Sequence, residues 1–244
     1  MIALITGAGR GIGREIAIAF TGKGIHTILV ARSEDQIKNV EAEIRASGGE
    51  ATAIACDITD SKSILSLHEK TSEIGKVSVL INNAGIAPSA KIEDTTDEVW
   101  QKAFATNASG PFYLIRAYLP DMKSLGEGQI INMASTAALE GFSYTAAYTA
   151  SKHAMLGLSR AIAKELSRSK IKVSTICPGF VRTNILETSI ANIVAKTGKE
   201  RLQVESELGV MNKTRKIIEP EEVAKAVLAE LDMPLDPNGR EIIL

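Results

Sequence analysis

The opening stretch Met1-Ile2-Ala3-Leu4-Ile5-Thr6-Gly7-Ala8-Gly9-Arg10-Gly11-Ile12-Gly13 runs from an apolar segment through four alternating glycines into a segment of helical period. Residues 2–6 read as a strand and residues 12–22 as a helix. Between them, glycines at 7, 9, 11 and 13 let the backbone turn sharply and come close to a ligand. A helix beginning there offers free N–H groups and the positive end of its dipole, a setting that suits a pyrophosphate. The spacing is not the strict G-x-G-x-x-G pattern, because Ile12 and Arg14 stand where its third glycine belongs. A tight turn without a ligand is the plain alternative. The strand–turn–helix context favours nucleotide binding through Gly7, Gly9, Arg10, Gly11, Ile12 and Gly13.

The same alternation continues along the chain. Further strands are expected at 27–31, 51–56, 79–82, 129–133, 172–177 and 241–244. They are short and nearly continuous in Ile, Val, Leu and Ala, as strands covered on both faces are. Amphipathic helices are expected at 34–46, 61–74, 97–119, 147–167 and 221–231. Ser33 with Gln36, and Thr95 with Glu98, have the spacing of capping boxes. Alternating strands and helices imply parallel pairing through right-handed crossovers, hence an α/β doubly wound sheet. At 244 residues the chain fits one domain, 1–244. The polar stretch at about 181–219 lies where a lid over the carboxyl ends of the strands belongs.

Composition narrows the functional classes. The chain is 45% hydrophobic and 23% charged with a net charge of −1, so neither nucleic acid nor an anionic membrane surface is an expected partner. No apolar run approaches the ~18 residues of a membrane span. The first segment has no basic leader, so a signal peptide is not expected and the cytoplasm is the default location. Cys56 and Cys177 are far apart and lack metal-type spacing, which reads as buried thiols in a reducing compartment, with no metal.

The run Tyr148-Thr149-Ala150-Ser151-Lys152 carries the chemistry. At i and i+4 on a helix, a phenol and an ammonium share one face. The ammonium is expected to favour phenolate and so to lower a phenol pKa that starts near ~10, toward the working range of a general acid/base. Ser135 lies upstream at the end of an apolar run. Such a set suits proton exchange with an alcohol or carbonyl oxygen, and a hydride carrier is its natural companion. At the end of the second strand, Ala31 occupies the place where an acid would bind the ribose hydroxyls of NAD, and Arg32 follows it. Arg32 and Arg10 together suit a 2′-phosphate, so NADP(H) is the expected cofactor.

These residues resemble the short-chain dehydrogenase/reductase family over nearly the whole chain. The matches are TGAGRGIG at 6–13, CDITD with Asp57, NNAG at 82–85, Asn107, Ser135, Tyr148, Lys152 and PGFVRT at 178–183. The resemblance implies a Rossmann-type sheet of seven strands in order 3-2-1-4-5-6-7. It implies that Tyr148 exchanges the proton, Ser135 polarises the carbonyl and Lys152 holds the nicotinamide ribose. Asn107, inside a helix kinked near Gly110 and Pro111, is implied to anchor a water linked to Lys152. Asn83, Ala84 and Gly85 are implied to line the adenosine side, and Asp57 and Ile58 the adenine. Pro178, Gly179, Val181 and Thr183 are implied to cradle the nicotinamide. A homodimer or homotetramer is the usual assembly.

The expected activity is reduction of a ketone by NADPH, or the reverse oxidation of a secondary alcohol. The stretch after Ile185 resembles family members acting on 3-oxoacyl groups carried by acyl-carrier protein or coenzyme A. A 3-oxoacyl thioester is therefore the first expected substrate, and a small ketone or secondary alcohol the next. A protein that binds NADP(H) without turnover is the expectation from another class. Lys196, Lys199, Arg201, Lys213, Arg215 and Lys216 suit phosphopantetheine or an acidic carrier protein, while Glu187, Glu200, Glu205 and Glu207 blunt that argument.

Overall fold

Parallel pairing joins β1 (Ile2–Thr6), β2 (His26–Ala31), β3 (Ala51–Ala55), β4 (Val79–Asn82), β5 (Gly128–Met133), β6 (Ile171–Cys177) and β7 (Arg240–Ile243). They form one sheet in the order β3-β2-β1-β4-β5-β6-β7, the order that the resemblance implied. The structure, a computed structural model, describes residues 1–234 and 238–244. Strand order reverses between β1 and β4, and crevices at such points are where ligands of doubly wound sheets bind.

Side chains alternate between two cores. Leu4, Ile28, Leu80, Ile130 and Val173 belong to one, and Ala3, Ile5, Leu29, Ile81 and Ile131 to the other. Helices α1 (Gly11–Thr21), α2 (Glu34–Ala46) and α9 (Pro220–Asp232) cover the second face, with Ile16, Phe20, Ile37, Val223 and Val227 packed into it. Helices α3 (Ser61–Ile74), α5 (Gly110–Leu125) and α6 (Ala146–Glu165) cover the first, through Ile64, Leu67, Leu114, Tyr118 and Ala163. Each fully buried aliphatic or aromatic side chain contributes about 1.5–3 kcal/mol relative to exposure. Both faces being covered explains why the strands lack polar alternation.

Three local expectations are corrected. The helix expected over 97–119 is divided into α4 (Asp97–Phe104), a π-helical turn at Ala105–Ser109, and α5. Helix α5 runs through Pro120 and ends only before Gly126, whose φ of +77° closes the last turn. Ser33 begins α2 without a side-chain cap; its expected partner Gln36 instead packs against Gly9, so close that a Cβ on Gly9 would stand 2.8 Å from the Gln36 Cβ. Thr96, not Thr95, caps α4 by accepting from the Val99 N–H at 3.3 Å. A full capping box does occur, at Glu219 and Glu222 before α9.

Polar side chains tie the central strands to α6. Asn82 and Asn132 stand opposite each other at the carboxyl ends of β4 and β5. Asn82 Nδ2 donates to Asn132 Oδ1 at 2.8 Å, and Asn132 Nδ2 donates to Ser159 Oγ at 2.8 Å. The segment 181–219 contains α7 (Asn184–Thr197) and α8 (Arg201–Val210), which enclose a small core of Leu186, Ile190, Val204 and Ile217.

Two glycines should respond in opposite senses to alanine. A Cβ on Gly13 would lie 2.3 Å from the Gly7 carbonyl oxygen, whereas one on Gly157, inside α6, meets nothing within 4 Å. Urea denaturation should show Gly13→Ala destabilised by about 1–3 kcal/mol, the usual cost of overpacking. Gly157→Ala should be stabilised by about 0.5–1 kcal/mol, because it restricts the unfolded chain and favours helix.

Candidate active site

The crevice at the reversal of strand order is built from the glycine turn outward. Gly7 and Gly11 have φ of +67° and +53°, a region that costs side-chain-bearing residues energy. Thr6 Oγ1 accepts from the Asn83 and Ala84 N–H groups, each at 3.0 Å, and donates to Ile81 O at 3.3 Å. Asn83 Nδ2 donates to Thr6 O at 2.8 Å. A Cβ on Gly13 would come within 2.5 Å of that Asn83 nitrogen. Asn83 is thus engaged inside the turn, holding β1 to the end of β4.

The turn leads into an open helix end. Arg10 precedes α1 in an extended conformation without a side-chain cap, so the first-turn N–H groups face outward unclaimed by a side chain. Arg10 and Arg32 are exposed, and neither forms an ion pair among the described residues. Ala31 packs against the core. A cavity of about 430 Å³ extends from Arg32 past Cys56 and Asp57 to Lys70. Asp57 Oδ1 accepts from Thr59 N at 3.0 Å and Thr59 Oγ1 at 2.8 Å, shaping the loop after β3. Ile58 is buried, and its side chain and carbonyl lie against Gly110. An uncapped helix end, a turn in which Gly7, Gly9 and Gly13 leave no room for Cβ atoms, and two arginines unpaired among the described residues together fit a phosphate-bearing dinucleotide.

The proton-handling groups converge beside it. Ser135 ends the loop after β5, and its Oγ accepts from Ala137 N at 3.1 Å. The Ser135 side chain lies beside the Tyr148 phenol and favours its ionised form. Lys152 is buried, donates from Nζ to Met133 O at 2.7 Å, and has its nitrogen 5.9 Å from the Tyr148 ring centroid. Burial pulls the Lys152 ammonium down to about 8, since a low-dielectric site penalises the charged form. Burial likewise holds the Tyr148 phenol above its ordinary value, with the neighbouring Ser135 side chain working the other way. The expectation that Lys152 lowers the phenol pKa is therefore not met in this arrangement: the ammonium is turned toward the Met133 carbonyl, and desolvation outweighs it.

Asn107 sits in the π turn, fully buried. Its Oδ1 accepts from Ile86 N at 2.9 Å, while Nδ2 donates to Ile86 O and to Ser151 Oγ, each at 2.9 Å. Ser151 in turn donates to Tyr148 O at 2.7 Å. Gly85, expected near adenosine, lies between Asn107 and Lys152, and a Cβ there would stand 3.5 Å from Nζ.

The loop after β6 completes the crevice. Pro178 O accepts from Thr136 N at 3.0 Å, joining this loop to the Ser135 turn. Thr183 lies against Gly11, within 3.3 Å of where a Cβ would be. Val181 is in the core and bridges Ile218, so its side chain is spent on packing. Asn212, 4% exposed, was not foreseen. It accepts from Phe180 N at 2.8 Å and donates to Phe180 O at 2.9 Å, and it fills the space a Cβ on Gly179 would need. Thr6 and Ser151 were also missed as hinge points of the network, although both lie within the motifs already quoted. A lone asparagine in a polar segment carries no comparable sequence signal.

Residues 1–193 match the family model for short chain dehydrogenases. The chain belongs to the short-chain dehydrogenase family. It is 34% identical over 234 residues to a putative ketoacyl reductase of Streptomyces coelicolor, covering 93% of this chain and 88% of that protein. It is 34% identical over 230 residues to the D-beta-hydroxybutyrate dehydrogenase of Rhizobium meliloti, with 93% and 89% covered. A crystal structure of an actinorhodin polyketide ketoreductase variant with NADPH superposes with a TM-score of 0.94 at 31% identity, covering 100% of this chain and 95% of that one. As a short-chain dehydrogenase, the protein is an oxidoreductase. Among the described residues, no helix is long and apolar enough to cross a membrane.

The lysine gives a test in stability. With a folded value near 8 and an ordinary value of 10.5, Lys152 leaves the folded protein holding fewer protons than the unfolded chain across that interval. Stability contributed at this residue therefore rises with pH above 8 and is lost as pH falls through it. Above pH 9 the buried thiols of Cys56 and Cys177, both pushed up to about 11, act in the opposite sense. Urea denaturation at pH 7.5 and pH 9 should show the stability of wild type relative to Lys152→Met increasing by about 1 kcal/mol.

Proposed function

We propose that the protein is an NADPH-dependent carbonyl reductase in which Tyr148, Ser135, Lys152 and Asn107 form the reacting and supporting set. The observation that carries this reading is the Tyr148 phenol beside Ser135, with the buried Lys152 ammonium one helical turn away and 5.9 Å from the Tyr148 ring centroid. NADPH, when bound, supplies the hydride. Ser135 and Tyr148 both offer O–H groups to a ketone oxygen, which concentrates positive potential where negative charge develops. Tyr148 then gives its proton to the nascent alkoxide. A phenol held protonated by burial is in the correct form for that direction. In the reverse direction Tyr148 must first lose its proton, which the raised value makes harder.

Arg10 and Arg32 support the 2′-phosphate over the free ribose hydroxyl, because both are exposed and unpaired among the described residues, Arg32 directly following Ala31 and Arg10 lying within the glycine turn. Gly7, Gly9, Gly11 and Gly13 carry the pyrophosphate at the start of α1. Asp57, Ile58, Asn83, Ala84 and Gly85 shape the adenosine side. Pro178, Gly179, Val181 and Thr183 contribute backbone on the nicotinamide side. For the substrate, we propose a 3-oxoacyl thioester, supported by the likeness to proteins named as ketoacyl reductases. One observation favours a small neutral ketone instead. Within the segment 181–219, Lys199 pairs with Glu207 at 2.7 Å, Arg201 with Glu187 at 2.5 Å and Glu205 at 2.7 Å, and Arg182 with Glu219 at 3.0 Å. Cations already paired offer less to the phosphates of a carrier.

The deciding assay measures oxidation of NADPH and of NADH with an acetoacetyl thioester and with a simple ketone. Rapid NADPH oxidation confined to the thioester supports the proposal; activity only with the simple ketone removes the acyl assignment. Tyr148→Phe should retain NADPH binding, read by nicotinamide fluorescence, and lose on the order of 100-fold or more in turnover, as removal of a general acid does. Retained turnover excludes Tyr148 as the acid. Ala31→Asp combined with Arg32→Ser should reverse the NADPH/NADH binding preference by on the order of tenfold or more, and an unchanged ratio sinks the phosphate-clamp reading.

A further inference from the structure

We propose that Tyr144 is a specificity-determining residue: its ring, held at the site entrance by a strained turn, clamps a broad apolar arm of the ketone substrate. This inference rests on the carbonyl-reductase reading of the site and adds the chemical class of the group beside the reacting carbon.

Tyr144 has φ of +65°, and only one other non-glycine residue among those described shares a positive φ. For a bulky aromatic side chain this left-handed conformation is unfavourable, and Asn or Gly would adopt it more readily. Packing does not explain the residue, because the side chain is 63% exposed. The strain is nonetheless enforced from several directions. Tyr144 O accepts from Ala90 N at 2.8 Å, across from the loop that follows β4. The next residue, Thr145, donates to Phe142 O from its backbone N at 3.3 Å and from Oγ1 at 2.8 Å. Thr145 also precedes the first turn of α6, three residues before Tyr148. An exposed aromatic kept in a costly conformation, four residues before the proposed proton donor, is a feature that folding alone gives no reason for.

The turn that carries Tyr144 contributes a second aromatic ring. Phe142 meets Phe180 edge to face, with ring centroids 6.2 Å apart and planes at 80°. Phe180 is fixed through both backbone polar atoms by Asn212, so that wall is rigid. Leu139, which closes the turn after Ser135, and Ile185, at the start of α7, are partly exposed. An apolar, aromatic rim of this kind favours a ketone carrying an aryl group or a similarly broad apolar arm over a compact one.

The test compares ethyl benzoylacetate with ethyl acetoacetate, using NADPH and the full chain. Wild type should prefer the aryl ester. Tyr144→Asn keeps a residue suited to the turn and removes the ring; its ratio of kcat/KM values, benzoylacetate over acetoacetate, should fall about tenfold, mainly through KM for the aryl ester. Its melting temperature should stay level or rise, because the strain is relieved. Tyr144→Phe, which keeps the ring, should retain the wild-type ratio. A ratio unchanged in Tyr144→Asn, or a wild type without preference for the aryl ester, overturns the inference. Both substrates are oxygen esters, so a failure of the thioester assignment leaves this ratio measurable and the two results separable.

Discussion

Helix α6 can carry reacting groups only because buried hydrogen bonds fix its distance and rotation against the sheet. Asn132 reaches from β5 to Ser159, Lys152 reaches back to Met133 at the end of the same strand, and Ser151 joins the helix to Asn107. Each bond lies in a low-dielectric interior, where an unmade partner costs more than the bond itself contributes. The helix therefore has few alternative seatings. Ser135, Tyr148 and Lys152 come from a loop and a helix, yet they are referenced to one strand, β5. The glycine turn is fixed from the other side by Thr6 and Asn83, which hold β1 to β4. Both halves of the crevice thus hang from neighbouring central strands.

Much of this was legible because the motifs are local. Parallel pairing followed from alternation and handedness and the strand order from the family resemblance, and the strands expected at 51–56, 79–82 and 172–177 form within a residue of those bounds. Helix continuity was harder. Nothing in the apolar spacing of residues 97–119 announces a π turn, since the register change is absorbed by Ala, Thr and Asn, residues with no strong preference against it. Capping at Thr96 rather than Thr95 is an ambiguity between adjacent threonines, both extended, that only their hydrogen bonds resolve: Thr95 Oγ1 donates back to Lys91 O, while Thr96 Oγ1 accepts from Val99 N. The Lys152 prediction erred for a different reason. Helical spacing correctly places an ammonium near a phenol, but it says nothing of a carbonyl at the end of a distant strand competing for the proton.

Segment 181–219 shows the same limit. Its lysines and arginines read in sequence as a candidate basic surface blunted by nearby acids, and folding pairs Arg182, Lys199, Arg201 and Lys216 with Glu219, Glu207, Glu187 and Glu222. Such pairs are exposed and individually worth little, about 0–1 kcal/mol. Their effect is to leave the small core of Leu186, Ile190, Val204 and Ile217 as the principal adhesion of this segment.

The π turn has a reach beyond Asn107. Each residue of a regular helix advances about 100°, and a π turn accommodates one residue more than a regular turn. Uninterrupted, Trp100 and Phe112 would point about 120° apart; the extra residue reduces the offset to about 20°. Both rings are exposed, and they lie on either side of the interruption, with Phe104 against Trp100 and Arg116 over Phe112. One accommodated residue therefore turns an amide inward and, by the same rotation, phases two outward aromatics into a single line. Deleting it would unmake both at once.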